Sequence, residues 1–151
     1  MVMELSEGLK AAFLEAEAAE KRGEVPVGAA ITDAKGAIIA IASNRTRELH
    51  DPTAHAEILA IRAACQVLGR ERLMDCDLHV TLEPCPMCAA AISAARIRRL
   101  YYSASDAKMG GVEHGARIFD APSCHHRPEI YSGLGEERAV SMLKAFFAQR
   151  R

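Results

Sequence analysis

Residues 77–103 read DLHVTLEPCPMCAAAISAARIRRLYYS, and the way this stretch divides sets the fold. Asp77 to Leu82 is short and β-prone, Pro84 to Ala95 is rich in alanine with prolines at its start, and Ile97 to Ser103 returns to β-formers. The order is strand, helix, strand. A right-handed crossover then lays the two strands parallel, with the helix across one face of the sheet. Upstream, Val25 to Thr32 and Ala37 to Ala42 flank Asp33-Ala34-Lys35-Gly36, a turn-forming cluster that predicts an antiparallel hairpin. His50-Asp51-Pro52-Thr53 places a proline and a capping residue before a helix over Ala54 to Leu68, with Ile58, Ile61 and Cys65 as its apolar stripe. Parallel and antiparallel pieces together predict an α/β layer on a mixed sheet.

The flanks complete the outline. Leu5, Leu9, Ala12, Phe13 and Ala16 recur at helical spacing, so a first helix runs to about Arg22 and stops at Gly23. Ser105 to Ser123, with Gly110-Gly111, Gly115 and Pro122, reads as a long surface loop. Glu136 to Arg150 reads as a closing helix with Leu143, Phe146 and Phe147 on its apolar side. The chain has 151 residues, the size of one domain, so 1–151 is read as a single unit. With 50% hydrophobic and 26% charged residues it has the balance of a globular protein, which excludes disordered and collagen-like classes. Lys plus Arg is 19 and Asp plus Glu is 20, a formal charge of −1 that supplies no global field for a polyanion. Any such partner has to meet a local basic patch, for which Arg96, Arg98, Arg99, Lys108, Arg127, Lys144, Arg150 and Arg151 are the candidates. No apolar run approaches the roughly 18 to 20 residues of a membrane span, and no secretory leader is visible, so a cytoplasmic location without membrane is expected. An odd count of five cysteines suits reduced thiols or metal ligands better than a disulfide framework.

Two motifs carry chemistry. His55-Ala56-Glu57 opens the second helix and Pro84-Cys85-Pro86-Met87-Cys88 opens the third. Cys85 and Cys88 are one turn apart and share a face, so both sulfurs can take one metal, with His55 as third ligand. Three protein ligands leave one tetrahedral zinc position open to water, the arrangement of a catalytic site, and Glu57 is placed to receive that water's proton. Helix N-termini add positive potential that favours thiolate. Two other readings stand beside this one: a thioredoxin-like redox pair made of the two cysteines, and a closed structural zinc site with Cys124, His125 or His126 as fourth ligand. Cys65 and Cys76 read as buried small apolar residues, and His79, inside a strand, as a satisfied structural residue.

The H-x-E and P-C-x-x-C pattern is the signature of zinc nucleobase deaminases. Beyond it, Glu24-Val25-Pro26-Val27-Gly28-Ala29, Asn44-Arg45, Asp51-Pro52-Thr53-Ala54-His55-Ala56-Glu57, Thr81-Leu82-Glu83-Pro84-Cys85, Asp106-Ala107-Lys108 and Phe146-Phe147 make the chain resemble the bacterial tRNA-specific adenosine deaminases, of the zinc-dependent cytidine/deoxycytidylate deaminase superfamily, over nearly its whole length. The resemblance implies a three-layer α/β/α fold on a central mixed five-stranded sheet. It implies one Zn2+ per subunit on His55, Cys85 and Cys88, with Glu57 as the proton carrier and the backbone N–H of Cys85 facing the developing tetrahedral centre. The implied reaction is hydrolytic deamination of adenosine to inosine at the anticodon wobble position of tRNA. By the same similarity Asn44 hydrogen-bonds the flipped base, Val27 contacts its face, and Ala54, Asp106, Lys108 and Phe147 complete the substrate site. The partners implied are the tRNA anticodon arm and a second copy of the chain in a homodimer. The rivals are a zinc deaminase of a free base or nucleotide (guanine, cytosine or cytidylate), and a non-catalytic zinc-binding or redox module. A longer basic tail found in some relatives is not matched after Arg151.

Overall fold

The computed structural model describes residues 4–150; Arg151, one of the candidate phosphate contacts, lies outside them. The elements are α1 (Glu7–Lys21), β1 (Gly28–Thr32), β2 (Ile38–Ser43), α2 (Ala56–Leu68), β3 (Asp77–Leu82), α3 (Pro86–Ala95), β4 (Arg99–Ala104), β5 (Glu129–Ser132) and α4 (Glu136–Ala148). The sheet order is β2-β1-β3-β4-β5. β1 runs antiparallel to both neighbours, whereas β3, β4 and β5 are mutually parallel. Helices α1 and α4 cover one face and α2 and α3 the other, which is the expected three-layer α/β/α fold on a mixed five-stranded sheet.

Small residues set the spacing of the layers. Helix α2 turns Ala56, Ala60 and Ala64 to the sheet, and Ile58, Ile61 and Cys65 are only half-buried. The apolar stripe expected from those larger residues is therefore corrected. Alanines let the helix axis approach closely, and the bulkier side chains pack at its margins. On the opposite face a Cβ at Gly28 would lie 1.9 Å from the Ala12 carbonyl oxygen, so α1 rests directly on the backbone of β1. Ser6 caps α1, its Oγ accepting from the Leu9 N–H at 3.1 Å.

The structure changes or sharpens the sequence reading at several further places. The four residues of β5 were not legible as a strand, because Glu129-Ile130-Tyr131-Ser132 is a short edge with three of its four side chains exposed. Residues 105–123 are not simply a surface loop, since Gly110, Gly111, Val112 and Phe119 are buried and Ile118–Asp120 forms a 3-10 turn. On α4, Phe146 is 1% exposed but Phe147 is 52% exposed, so only the first belongs to the core. Of the basic candidates, Arg98 grips Asp77 through two hydrogen bonds of 2.9 and 3.1 Å and Arg99 pairs with Glu129 at 2.8 Å. Arg127 pairs with Asp120. Each thus has an acidic neighbour within the fold. Among the described residues no helix is long and apolar enough to cross a membrane.

His79 on β3 is a structural residue, as expected. It is buried, within hydrogen-bond reach of Ser6 Oγ (3.2 Å) and Thr32 Oγ1 (3.0 Å), and stacked on Tyr101. Burial pushes its pKa down to about 4, with Asp77 opposing. The unfolded chain therefore binds the extra proton between about pH 6.5 and 4, so His79's share of stability is intact above 6.5 and is lost as pH falls to about 4. We expect urea unfolding to show up to ~3 kcal/mol of such loss across this window in the wild type, and a flatter profile in His79→Phe. Parallel profiles for the two proteins would refute the assignment.

Candidate active site

The two chemistry-bearing motifs meet because two helices begin at the same end of the sheet. His55 is the N-cap of α2 and Cys85 the N-cap of α3, both with extended backbone, and Cys88 follows in the first turn of α3. The His55 side chain makes no capping bond to α2, and the Cys85 thiol engages Cys88 in the first turn of α3, so the imidazole and the two sulfurs face one another. His55 Nδ1 lies 3.6 Å from Cys85 Sγ and 3.4 Å from Cys88 Sγ. The ligand atoms of the three residues lie within 4.8 Å of each other, and they form the one such group of three found among the described residues. A tetrahedral zinc with ligands near 2.0 to 2.3 Å needs neighbouring ligand atoms about 3.6 Å apart, so the donor set and its spacing fit this metal.

The charges at the centre agree. Cys88 hydrogen-bonds Cys85 and pulls its thiol down to about 4, helped by His55, while Cys88 itself is pushed up. The Cys85 hydrogen bond raises the His55 pKa. A divalent cation bound by these three groups would displace the protons they share. Glu57, in the first turn of α2, is 4% exposed, and burial raises its carboxyl pKa. A buried carboxyl outside the donor group, lining the same pocket as His55 and Cys85, would be equipped to take up and return a proton.

A pocket of about 260 Å³ opens over this centre, near the lower end of ligand cavities and suited to one planar ring system. His55, Glu57 and Cys85 form part of its lining, with Val27, Asn44 and Asp106 from the other expected positions. Cys88 is buried beneath. Ala54 is fully buried and contributes its carbonyl to the Arg45 N–H at 3.0 Å, outside the lining. Lys108 is exposed, its backbone N–H bound to Asp106 Oδ1. Phe147 stands in an adjoining apolar groove that shares Val25, Leu82 and Asp106 with the pocket. Cys124 bonds the His126 carbonyl and lies by Ser93, towards the far end of α3, and neither it nor His125 or His126 joins the metal cluster. The closed four-ligand site is thereby overturned.

Sequence reasoning missed Val25, Thr46, Leu82, Glu83 and Met109 in the lining. The strongest omission is Glu83. Its side chain is fully buried, and its oxygens take the N–H groups of Asp106, Val112, Glu113 and His114 and the ring of His114. Burial alone would raise its pKa, but these hydrogen bonds outweigh it and hold the carboxyl below the usual range. An acidic residue directly before Pro84-Cys85 was the only available signal.

Comparison with known proteins agrees with this geometry. Residues 3–104 match the family described as the cytidine and deoxycytidylate deaminase zinc-binding region. The chain is 57% identical over 143 residues to a tRNA-specific adenosine deaminase of Agrobacterium fabrum, covering 95% of this chain and 93% of that protein. A namesake from Aquifex aeolicus is 46% identical with the same coverage. Among solved structures, one from a study of A-to-I editing by tRNA:A34 deaminases superposes with a TM-score of 0.89 at 56% identity, over 92% of this chain and 100% of that one. A guanine deaminase of Bacillus subtilis reaches a TM-score of 0.65 at 36% identity, covering 98% of this chain and 94% of that one. A metal centre of the right donors, a buried carboxyl beside it and relatives of nearly equal length converge: the chain is an enzyme of the zinc-dependent cytidine and deoxycytidylate deaminase family, a hydrolase in the group named tRNA-specific adenosine deaminases.

Proposed function

We propose that this enzyme deaminates adenosine to inosine at the wobble position of a tRNA anticodon. The observation that carries the reading is the single-base pocket floored by His55, Cys85 and the buried Glu57, in a chain whose relatives at 41–57% identity bear that name. When bound, zinc supplies Lewis acidity that brings the attacking water into the neutral pKa range. Glu57 takes a proton from that water and delivers it to N1 of the adenine as the water oxygen bonds C6. The same carboxyl then passes the second proton to the amino nitrogen; the C6–N6 bond breaks, ammonia leaves and inosine remains. The Cys85 N–H, at the start of α3, supports the charge that builds at C6. Asn44 holds the base edge and Val27 its face.

The pocket accepts one base and no more, so the rest of the anticodon arm has to bind outside it. Phe147 and Asp106 line the adjoining groove, which supports assigning them to the flanking nucleotides, Phe147 by stacking. Lys108 and Lys144 are exposed near this rim and suit phosphate contacts. Ala54 acts through its backbone hold on Arg45, beside Asn44. A second copy of the chain is a further expected partner, by similarity to the family.

Glu57→Gln is expected to retain one zinc per chain and lose at least ~10²-fold in kcat, measured by inosine release. Cys88→Ala is expected to lose most of the metal by elemental analysis and to melt earlier, whereas Cys65→Ser keeps both properties. Zinc-loaded wild type is expected to convert an anticodon stem-loop with wobble adenosine while leaving free adenosine, cytidylate and guanine unchanged. Turnover of guanine alone would move the assignment to the free-base deaminases that the Bacillus neighbour represents.

A further inference from the structure

Two buried carboxylates take no part in the proton transfers above, and each closes on the backbone of one wall of the pocket. Glu24, 2% exposed, accepts the Arg47 N–H at 3.1 Å and the Glu48 N–H at 2.8 Å, one on each oxygen. It thereby holds the segment 44–48, which brings Asn44 and Thr46 to the pocket. Glu83, also 2% exposed, accepts Asp106 N–H at 3.0 Å on one oxygen. Its other oxygen takes Val112, Glu113 and His114 N–H at 3.2, 3.0 and 3.0 Å. It thereby holds the segment 106–114, which brings Asp106 and Met109 to the opposite wall.

The second wall also bears on the metal-binding turn. Gly111 donates its N–H to the Pro84 carbonyl at 2.8 Å, and a Cβ at Gly111 would come 2.7 Å from the Cys85 carbonyl carbon. No side chain fits between this segment and the turn that presents Cys85. A carboxylate suits both places because it is acceptor-only and offers about four lone-pair sites to amide donors. A glutamine cannot replace it fully: its NH2 end must face at least one N–H that has lost its acceptor.

We infer that Glu24 and Glu83 are positioning residues, each holding the backbone of one wall so that the gap between Asn44 and Asp106 matches a single nucleobase. The inference rests on the deaminase reading above. It predicts different kinetic signatures for the two walls. Glu24 acts only on the wall bearing Asn44, so Glu24→Gln raises KM about tenfold and leaves kcat within about threefold. Glu83 supports both a wall and the Cys85 turn, so Glu83→Gln lowers kcat by about tenfold or more.

The test uses full-length, zinc-loaded protein and the anticodon stem-loop, with activity counted per bound zinc so that misfolded molecules drop out. Amide hydrogen exchange of the same samples needs no substrate. Support for the inference is the stated KM and kcat split, with faster exchange confined to 44–48 in Glu24→Gln and to 106–114 in Glu83→Gln. Activity per zinc within twofold of wild type in both variants overturns it, as does exchange that rises over the whole sheet. If wild type itself leaves the stem-loop unchanged, the substrate reading fails, while exchange confined to each wall still bears out the backbone hold.

Discussion

Everything chemical in this protein depends on α2 and α3 starting at one end of one sheet. His55 and Cys85 are 30 positions apart, yet their ligand atoms lie 3.6 Å apart because each occupies the N-cap of its helix. An N-cap normally spends its side chain on its own first turn. Here His55 makes no such bond and Cys85 offers its sulfur to Cys88, while the helix ends turn their partial positive charge towards the Cys85 sulfur. The ligands thus stay available for a metal, at the cost of capping interactions that each helix recovers through packing.

That packing depends on small side chains. The alanines of α2, Ala89 of α3, and the contact of Gly28 with the Ala12 carbonyl bring helices and sheet close together. Close approach of α2 and α3 sets the heights of the two N-caps above the sheet, and a larger residue at one of their buried alanines would overpack the layer that carries the ligands. The walls of the pocket are built differently: they are irregular segments, and buried carboxylates supply the amide partners that a helix or strand would otherwise provide. A rigid layer positions the metal ligands, and carboxylate-bound loops position the substrate.

Much of this could be read from sequence, and the gaps have a common cause. The crossover from Asp77 to Ser103 and the opening hairpin were visible because period and turn chemistry are local. His55, Cys85 and Cys88 stood out because metal ligands carry a spacing, and Glu57 because it stands two residues from His55. β5 was not, since a four-residue edge strand has no periodicity to detect, and the helix faces were misjudged where alanine rather than isoleucine took the core. The carboxylate partners of Arg98, Arg99 and Arg127, namely Asp77, Glu129 and Asp120, were not visible either, because they are distant in the chain or unmarked by any pattern.

The amino-acid sequence by itself was enough for the α/β class, which rests on residue type and short-range spacing, and for the family, through its resemblance to known deaminases; it also offered His55, Cys85 and Cys88 as candidate metal donors and Glu57 as a candidate proton carrier. Only the tertiary structure decided which residues form the pocket, which aromatic of Phe146-Phe147 faces solvent, and what Glu24 and Glu83 hold. Those properties arise from contacts between segments 20 or more residues apart, as between Glu83 and Asp106 or Glu24 and Arg47. A buried carboxylate leaves no mark on the local pattern; its role exists only once the chain brings unpaired amides to it.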